Sequence, residues 1–489
     1  MQYNILIIVP ISTAPVTWPA KMADLHVVMV PWLAFGHMIP FLQLSIALAK
    51  AGVRVSFVST PRNIRRLPKL PPDLEPLISF VELPLPAVDG GLLPEDAEAT
   101  VDVPTEKIQY LKLAYDLLQH PFKKFVADQS PDWIISDTMA HWVVETAEEH
   151  RIPSMAFILF SSAAAVFVGP NECLIGEGRR RVRPSPESLT SSPEWVSFPS
   201  SVAFRGYEAR TCYAGFFGEN VSGITDAHRV AKVCHACKAV AVRSCIEFEG
   251  EYLNIHEKIM GKPVIPVGFL PPEKQGGRET TEGSWSEIFK WLDEQKPKSV
   301  VFVGFGSECK LTKDQVHEIA YGLELSELPF LWALRKPNWT MEDIDALPSC
   351  FSDRTSGKGI VWMGWAPQME ILAHPSIGGS LFHSGWGSVI ETLQFGHCLV
   401  LLPFIVDQGL NARLLVEKGL AVEIERSEDG SFSREDIAKS LRVAMVSEEG
   451  EKLRARAREA AAIFIDKRLQ QEHYIGGLVK YLKAEVSEK

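Results

Sequence analysis

Short apolar runs alternate with amphipathic segments along the chain from residue 25 onward. An apolar run over residues 25–32 is followed by a glycine-containing loop, then by apolar positions at helical spacing over 39–48, and then by a second apolar run at 53–60. The spacing predicts a strand, a helix and a second strand. Because this order usually forms a right-handed crossover between parallel strands, it predicts a parallel sheet.

The same alternation continues through two series of elements. Further strands are predicted at 132–137, 154–160, 240–243 and 264–269, and then at 299–307, 330–335, 360–363, 379–382, 399–403 and 421–424. Helices are predicted between strands, including a long one at 105–128, and the tail at 433–482 has a helical pattern, whereas the periodicity fails over 171–214. We therefore predict an α/β fold of two similar domains, 25–270 and 285–465, joined by a linker at 271–284. Residues 1–24 are expected to be a loose extension, and the helix at 466–489 is expected to pack back on the first domain.

Composition narrows the class of protein. The chain has 489 residues, 46% of them hydrophobic and 23% charged, which is typical of a folded protein with more than one domain. A net charge of −11 argues against nucleic acid as a partner, since that partner needs a basic face. We predict neither a signal peptide, which needs a basic start, nor a membrane span, which needs about 20 apolar residues. Eight sparse cysteines favour reduced thiols in a cytoplasmic protein.

Two short polar motifs have simpler interpretations than a binding site. Cys234 and Cys237 have the spacing of metal ligands but lack a second pair, so we interpret them as buried thiols. The basic run at 179–181 could contact an anionic ligand, but a solvated loop is the favoured interpretation.

Two motifs of the second half are equally non-specific. The turn Gly304-Phe-Gly306 resembles part of a dinucleotide fingerprint but lacks the third glycine, so a tight turn and a phosphate site both explain it. Asp343 and Asp345 have the spacing of a metal-binding carboxylate pair, yet no apolar strand leads into them. We interpret them as solvated loop charges and predict no metal site.

The segment 383–388, His-Ser-Gly-Trp-Gly-Ser, follows a predicted strand and opens a predicted helix. Free backbone N–H groups and the positive end of the helix dipole meet at such a helix start, so a phosphate could bind there. Ser388 and Glu391 also fit a capping box, in which each side chain bonds a backbone N–H of the first turn. The capping box needs no ligand and is compatible with one.

His37 and Asp137 are the candidate acid–base residues. His37 follows the first predicted strand, and Asp137 ends another strand of the same sheet. Parallel strands end at one edge, so the two side chains could meet. Because the chain contains no Gly-x-Ser-x-Gly motif, the pair suggests a general base rather than an acyl-enzyme.

The segment 365–408 resembles the donor box of the plant UDP-dependent glycosyltransferases of small molecules, glycosyltransferase family 1. Trp365, Gln368, His383, Gly385-Trp386, Ser388, Glu391 and Asp407-Gln408 stand in register with it. The resemblance extends to the Gly36-His37 loop, Asp137, the Phe305-Gly-Ser307 turn and the tail, and covers nearly everything after residue 24. It implies the GT-B architecture, in which two Rossmann-like domains face each other, the first binding the acceptor and the second the donor.

The resemblance also implies a role for each matched residue. His37 would be the general base and Asp137 would orient it, in a single inverting displacement that needs no metal and no cofactor other than the UDP-sugar co-substrate. In the donor site Trp365 would stack on uracil, the Ala366 backbone would bond the edge of the base, and Gln368 and Glu391 would bind ribose. The residues that surround the diphosphate would be Ser307, His383, Gly385 and Ser388. The residues that contact the sugar would be Trp386, Asp407 and Gln408.

The chain departs from the family at Gly387, where Asn is usual, and at Ser384, where Cys is commoner. The first departure leaves the donor open between UDP-glucose and UDP-rhamnose. The sequence at 31–37, 58–63 and 385–388 resembles that of the clade whose members add a sugar to flavonoid, terpenoid or steroid glycosides, although some relatives take simple aglycones. We expect a cytoplasmic monomer. The alternatives are a catalytically silent UDP-sugar-binding protein and a nicotinamide oxidoreductase built on the Gly304 turn.

Overall fold

The computed structural model of the protein describes residues 25–88, 90–175, 183–272, 283–340 and 342–487. The predicted extension at 1–24, the basic run at 179–181 and most of the predicted linker lie outside these residues. The domain boundaries therefore stay a prediction. Among the described helices, none is both long enough and apolar enough to cross a membrane.

The first half is built on one parallel sheet. Among the described residues, its seven strands are β1 (His26–Val30), β2 (Arg54–Ser59), β3 (Ile78–Glu82), β4 (Trp133–Ser136), β5 (Ser154–Ile158), β6 (Ala239–Val242) and β7 (Val264–Pro266). They lie in the order β3-β2-β1-β4-β5-β6-β7, and every neighbouring pair is parallel. All positions of β1 are buried, because helices cover both faces of such a sheet.

The helices of the first half cover that sheet. They are α1 (Phe35–Lys50), α2 (Pro61–Arg66), α3 (Ile108–Asp116), α4 (Gln119–Gln129), α5 (Val143–Glu149), α6 (Ser162–Val168), α7 (Asn171–Ile175), α8 (Gly206–Phe217), α9 (Asp226–Ala236) and α10 (Ile246–Met260), with 3-10 turns at Thr100–Asp102, Thr105–Lys107 and Pro186–Leu189. Helix α1 buries Phe41, Leu44 and Leu48, spaced three and four residues apart, against Val27 and Phe57 of the sheet.

The second half repeats this plan, with six strands in the part of it that the structure describes. They are β8 (Val300–Gly304), β9 (Phe330–Leu334), β10 (Gly359–Met363), β11 (Ile377–Phe382), β12 (Cys398–Leu401) and β13 (Ala421–Glu423). Their order is β10-β9-β8-β11-β12-β13, again with every pair parallel. The helices are α11 (Gly283–Asp293), α12 (Lys313–Ser326), α13 (Phe351–Arg354), α14 (Gln368–Leu372), α15 (Trp386–Leu393), α16 (Gln408–Glu417), α17 (Arg434–Met445), α18 (Glu451–Ile465) and α19 (Gly476–Ser487), with a 3-10 turn at Asp343–Ala346 and a π-helical segment at Arg468–Ile475.

The predicted α/β class is confirmed, and each predicted strand is present, but three details are wrong or missing. Strand β3 has largely half-buried or exposed side chains between two Pro-rich loops, so it has no continuous apolar run. The long helix predicted at 105–128 is broken at Leu117 and Leu118 into α3 and α4. Helix α8 begins at Gly206, inside the segment where the periodicity fails.

The tail packs on the first sheet. The indole Nε1 of Trp133 donates to the carbonyl of Leu482 at 3.0 Å. Ile475, Leu478 and Leu482 belong to the same buried cluster as Val27 of β1. The end of the chain thus completes the core of the half in which the chain begins.

The two halves meet where the carboxyl ends of both sheets face each other. Ser161, which follows β5, donates through Oγ to Asn411 Oδ1 at 2.8 Å. Thr100 Oγ1 donates to Glu308 Oε1, beyond β8, at 2.9 Å. Behind this seam the rings of Phe269 and Phe464 stack with centroids 4.1 Å apart. Any ligand bound at the carboxyl edge of one sheet therefore lies against the other half.

Candidate active site

His37 and Asp137 are in direct contact at the carboxyl edge of the first sheet. Nδ1 of His37 lies 2.7 Å from Oδ2 of Asp137. The carboxylate is 1% exposed, and it also accepts the backbone N–H of Met139 on Oδ1 at 3.0 Å and that of Trp32 on Oδ2 at 3.3 Å. The backbone thus holds the carboxylate, and the carboxylate orients the imidazole.

The register of β1 and β4 brings this pair together. Val30 is paired with Ser136, so the residues after both strands leave the sheet side by side. The N–H of Asp137 donates to the carbonyl of Val30 at 2.9 Å. Helix α1 begins at Phe35, which puts His37 in its first turn above the same edge.

Acidic residues of the second half face this histidine across the seam. Burial by itself lowers the pKa of His37, but the charge and hydrogen bond of Asp137, with Glu308 and Asp407 adding to them, raise it above 6.5. Burial raises the pKa of Asp407 to about 6, although the amide of Asn411 bonds its carboxylate at 2.6 Å. The His37 side chain is 21% exposed, so the imidazole is accessible from the seam.

Helix α15 begins without a side-chain cap. Its N-cap is Gly385, Ser388 is its third residue, and its first turn contains no acidic side chain. The predicted capping box is therefore wrong, because the helix begins before Ser388. Glu391 turns to the neighbouring element, where its Oε2 accepts from Nε2 of Gln368 at 2.5 Å. Among the residues that the structure describes, no capping or first-turn acidic side chain therefore accepts from the N–H groups of this turn.

His383 is packed between two glycines. A Cβ on Gly306 would lie 2.8 Å from Cε1 of His383, and a Cβ on Gly385 would lie 2.6 Å from its Nε2. Gly306 also has a φ of +71°, which glycine adopts readily. Burial lowers the pKa of His383 to about 4, so the imidazole is neutral at neutral pH. Ser307 follows this turn, and thus the loop after β8, His383 and the start of α15 lie together.

Trp365 presents its ring to solvent at the edge of the second sheet. Its side chain is 64% exposed, and its carbonyl accepts from Nε1 of Trp362 at 2.8 Å. The carbonyl of Ala366 accepts the N–H of Gln368 at 2.8 Å. An exposed indole is suited to stacking on a flat ligand, and the bonded Gln368–Glu391 pair lies beside it.

The side chain of Trp386 is buried in the seam between the two halves. The indole is 3% exposed and packs on Phe248 and Phe269, with centroid distances of 6.2 and 6.0 Å. Its Nε1 donates to the carbonyl of Arg243 in the first half at 2.8 Å. The indole ring and its Nε1–H thus belong to the seam, and the predicted contact of Trp386 with the sugar stays a prediction.

The side-chain amide of Gln408 hydrogen-bonds the backbone of the preceding loop, so only part of it can bind a ligand. Its Oε1 accepts the N–H groups of Phe404 at 2.9 Å and Ile405 at 3.0 Å. Its Nε2 lies 3.9 Å from Sγ of Cys309. Only this Nε2 remains for the expected sugar contact, and the two bonds of Oε1 hold Asp407 in position opposite His37.

Arg243 and Glu308 belong to the site but were not predicted from the sequence. Arg243 directly follows the buried strand β6, as Asp137 follows β4, so the same signal applies to both. Glu308 follows the glycine turn after β8 and acts electrostatically on His37. In the described part of the chain, no group of three or more His, Cys, Asp or Glu side chains could hold a metal ion.

Comparison with known proteins gives one family for both halves. The model of UDP-glucoronosyl and UDP-glucosyl transferases matches residues 281–452, and that of the glycosyltransferase N-terminal domain matches 23–216. UDP-glycosyltransferase 91A1 of Arabidopsis thaliana is 44% identical over 94% of this chain and 96% of its own. The soyasaponin III rhamnosyltransferase of Glycine max is 41% identical, with the same coverage of 94% and 96%.

Solved structures share the fold. UGT73P12 of Glycyrrhiza uralensis, complexed with glycyrrhetinic acid 3-O-monoglucuronide, has a TM-score of 0.76 at 24% identity and covers 94% of this chain and 96% of its own. UGT89C1 of Arabidopsis thaliana, complexed with UDP-L-rhamnose, has a TM-score of 0.68 at 24% identity, covering 95% and 98%.

Two parallel sheets with carboxyl edges that face each other across a shared site define the GT-B class of glycosyltransferases. The chain belongs within that class to the plant UDP-glycosyltransferase family, whose members transfer a sugar from a UDP-sugar to a small molecule.

Proposed function

We propose that the protein transfers a hexosyl group, glucose or rhamnose, from a UDP-sugar to a hydroxyl group of a plant specialised metabolite. The proposed acceptor is a flavonoid, terpenoid or steroid glycoside, and the hydroxyl belongs to its sugar. The reaction inverts the anomeric carbon and uses no metal ion or further cofactor. The observation that carries the proposal is the 2.7 Å contact between His37 and Asp137, opposite the Asp407 loop of the other half.

The His37–Asp137 pair supports a general-base step. Nδ1–H of His37 donates to Asp137, which leaves Nε2 to accept a proton. Nε2 takes the proton of the acceptor hydroxyl while the hydroxyl oxygen forms a bond to the anomeric carbon. The bond from that carbon to the diphosphate oxygen breaks, and UDP leaves with the electron pair. Asp137 stabilises the imidazolium that forms, and one displacement inverts the carbon.

The second half supports the binding of a nucleoside. The exposed ring of Trp365 is suited to stack on uracil, and the backbone of Ala366 to bond the edge of the base. Gln368 and Glu391 form a bonded pair with the polar atoms that ribose hydroxyls require.

The start of α15 supports the binding of a diphosphate. Its uncapped first turn, from Gly385 to Ser388, offers backbone N–H groups and the positive end of the helix dipole. Neutral His383 and the hydroxyl of Ser307 add further donors beside it. The sugar would then lie between this start and His37, where Asp407 and Nε2 of Gln408 can bond its hydroxyls.

A sugar acceptor is supported by the relatives. One relative, 41% identical over nearly the whole chain, is named a soyasaponin III rhamnosyltransferase. The name supports rhamnose as a donor sugar and a saponin as an acceptor class. Gly387 leaves glucose and rhamnose both open for this chain.

Assaying paired acceptors against several UDP-sugars tests the proposal. Each aglycone is supplied with its monoglycoside, and the product mass is measured by mass spectrometry. We expect product with UDP-glucose or UDP-rhamnose, chiefly from the monoglycosides, and no effect of EDTA. The anomeric proton coupling of the product should correspond to the configuration opposite to that of the donor.

A histidine variant and a matched control complete the test. His37→Ala should abolish transfer and leave UDP affinity nearly unchanged, because the general base lies in the first half and the proposed uracil and ribose contacts lie in the second. His120→Ala changes an exposed histidine of α4 and should behave as wild type. If wild type and His37→Ala are equally inactive on every pair, the silent UDP-sugar-binding protein becomes the better account.

We further propose that the enzyme acts as a monomer in the cytoplasm. One chain supplies both the base and the donor loops, so the site is complete without a partner. All eight cysteines are free thiols, which suits a reducing compartment. Size-exclusion chromatography with light scattering, and fractionation of plant cells, test these two statements.

A further inference from the structure

Arg243 is a buried cation whose bonds use only part of its guanidinium. The residue is 2% exposed and follows β6. Its Nε donates to the carbonyl of Phe269 at 2.8 Å, and its Nη2 donates to Oε1 of Gln43 at 2.8 Å and to the carbonyl of Leu270 at 3.3 Å. Within the described ranges, no hydrogen bond uses Nη1. Two N–H groups of a buried charge thus have no protein acceptor there.

Nη1 points toward the start of α15. It lies 3.7 Å from the position that a Cβ would take on Gly387, the second residue of that helix. The adjacent indole of Trp386 bonds the carbonyl of Arg243 at 2.8 Å, which ties the strand end to the helix start. The free edge of the guanidinium and the uncapped first turn therefore face the same space from opposite halves.

Two positive groups converge at this point without an anion between them. A cation beside the positive end of a helix is unfavourable, and a buried unpaired charge is costly. The ion pairs of the described residues do not include Arg243, and the acid that acts on it electrostatically is Glu391, whose carboxylate bonds Gln368. Burial lowers the pKa of Arg243 to about 10, so it stays charged at neutral pH. A bound anion would remove both costs.

We infer that Arg243 donates through Nη1 to the diphosphate of the UDP-sugar, so that the first half contributes a cation to the donor site of the second. The inference rests on the proposed donor site. The inference also explains why glycine suits position 387: without a side chain there, the space between the guanidinium and the helix start is open to the ligand. Donor binding then stabilises the seam, since the diphosphate bonds both halves.

Titration calorimetry with UDP and with uridine, without acceptor, tests the inference. Arg243→Gln should weaken UDP binding by about 10- to 100-fold, the usual worth of a hydrogen bond to a charged group. The affinity for uridine, which has no phosphate, should fall much less than the affinity for UDP, because Arg243 acts on Glu391 of the proposed ribose site only electrostatically. Equal weakening of both ligands, or unchanged UDP affinity, would overturn the inference.

Gly387→Asp gives a second, independent test that keeps Arg243 in place. The new carboxylate should pair with the guanidinium and compete with the diphosphate, so UDP binding weakens while the thermal unfolding temperature without ligand does not fall. Gln394→Asp adds the same charge at the other end of α15 and is expected to bind UDP as wild type does. If Gly387→Asp binds UDP as tightly as Gln394→Asp does, Arg243 does not serve the diphosphate. Since these titrations need no acceptor, a failed transfer assay would not affect them.

Discussion

Replacing Asp137 by asparagine keeps the size of the side chain and removes the charge beside His37. The carboxylate accepts from His37 at 2.7 Å, from the N–H of Met139 at 3.0 Å and from that of Trp32 at 3.3 Å. An asparagine has one acceptor oxygen and one NH₂ donor, so it cannot satisfy all three. Either its NH₂ faces Nδ1 of His37, or its NH₂ meets the N–H of Met139.

Both orientations have a cost that the geometry predicts. With NH₂ toward His37, the ring proton moves to Nε2. This nitrogen then cannot take the proton from the hydroxyl of the acceptor substrate. We expect kcat to fall by about 10²- to 10⁴-fold, the usual contribution of a positioned base. With NH₂ toward Met139, two buried donors oppose each other, which lowers the free energy of unfolding by about 1–3 kcal/mol.

The pH dependence supplies a second readout. The base must be neutral, so activity rises as the pH rises through the pKa of His37, which Asp137 holds above 6.5 against the effect of burial. In Asp137→Asn the burial remains and the charge of residue 137 is gone, so this pKa falls. The acid limb of the profile of kcat/KM against pH should therefore move to lower pH while kcat itself drops.

Asp132→Asn is the matched control. Asp132 precedes the same strand, β4, at its opposite end, where Oδ2 accepts the N–H of His26 at 2.7 Å. Its asparagine variant should keep both kcat and the acid limb of wild type. The reasoning is refuted if Asp137→Asn keeps its acid limb at the wild-type pH, or if both variants lose activity equally.

Three further variants and one control variant separate donor binding from stability. Trp365→Ala should weaken UDP binding by about 1–3 kcal/mol, the usual worth of a stacked base. Because the residue is 64% exposed, thermal unfolding should not change. Unchanged UDP binding in calorimetry would contradict the stacking. Glu391→Ala should abolish the preference for UDP over 2′,3′-dideoxy-UDP, and a retained preference would exclude it from ribose binding. Glu208→Ala breaks the buried pair with Arg413, 2.6 Å apart, while Glu423 still pairs with Arg413 at 3.2 Å, so the free energy of unfolding should fall by about 1–3 kcal/mol in urea denaturation. Glu451→Ala removes an exposed ion pair and should leave the urea midpoint as in wild type, and equal losses for the two would contradict the burial argument.

The strands were predictable because both faces of a parallel sheet are covered. Each buried strand then reads as a continuous apolar run, as the fully buried β1 and β4 do. Strand β3 lies at the edge of its sheet with half-buried side chains, and it was missed for that reason. The break at Leu117 and Leu118 was missed because both residues keep right-handed helical backbone angles, so the apolar spacing continues across it.

The His37–Asp137 pair was predictable for a similar reason. Neighbouring parallel strands end at one edge of the sheet, so two ionisable side chains that follow neighbouring strands come close together there. The donor box was recognisable because its glycines, aromatic residues and acids form one continuous segment. These features depend on local sequence and on a general rule of sheet topology, and the sequence by itself determined them.

Only the tertiary structure decided which atoms of the box face the ligand. Trp386 is turned into the seam by a carbonyl 143 residues away, and Arg243 comes beside Gly387 from the other half. Local geometry decided two further details: Gly385, not Ser388, is the N-cap of α15, and the N–H groups of Phe404 and Ile405 occupy the amide oxygen of Gln408. The contacts of Trp386 and Arg243 join residues far apart in the chain, and the relative position of the two sheets, which no local pattern contains, determines them.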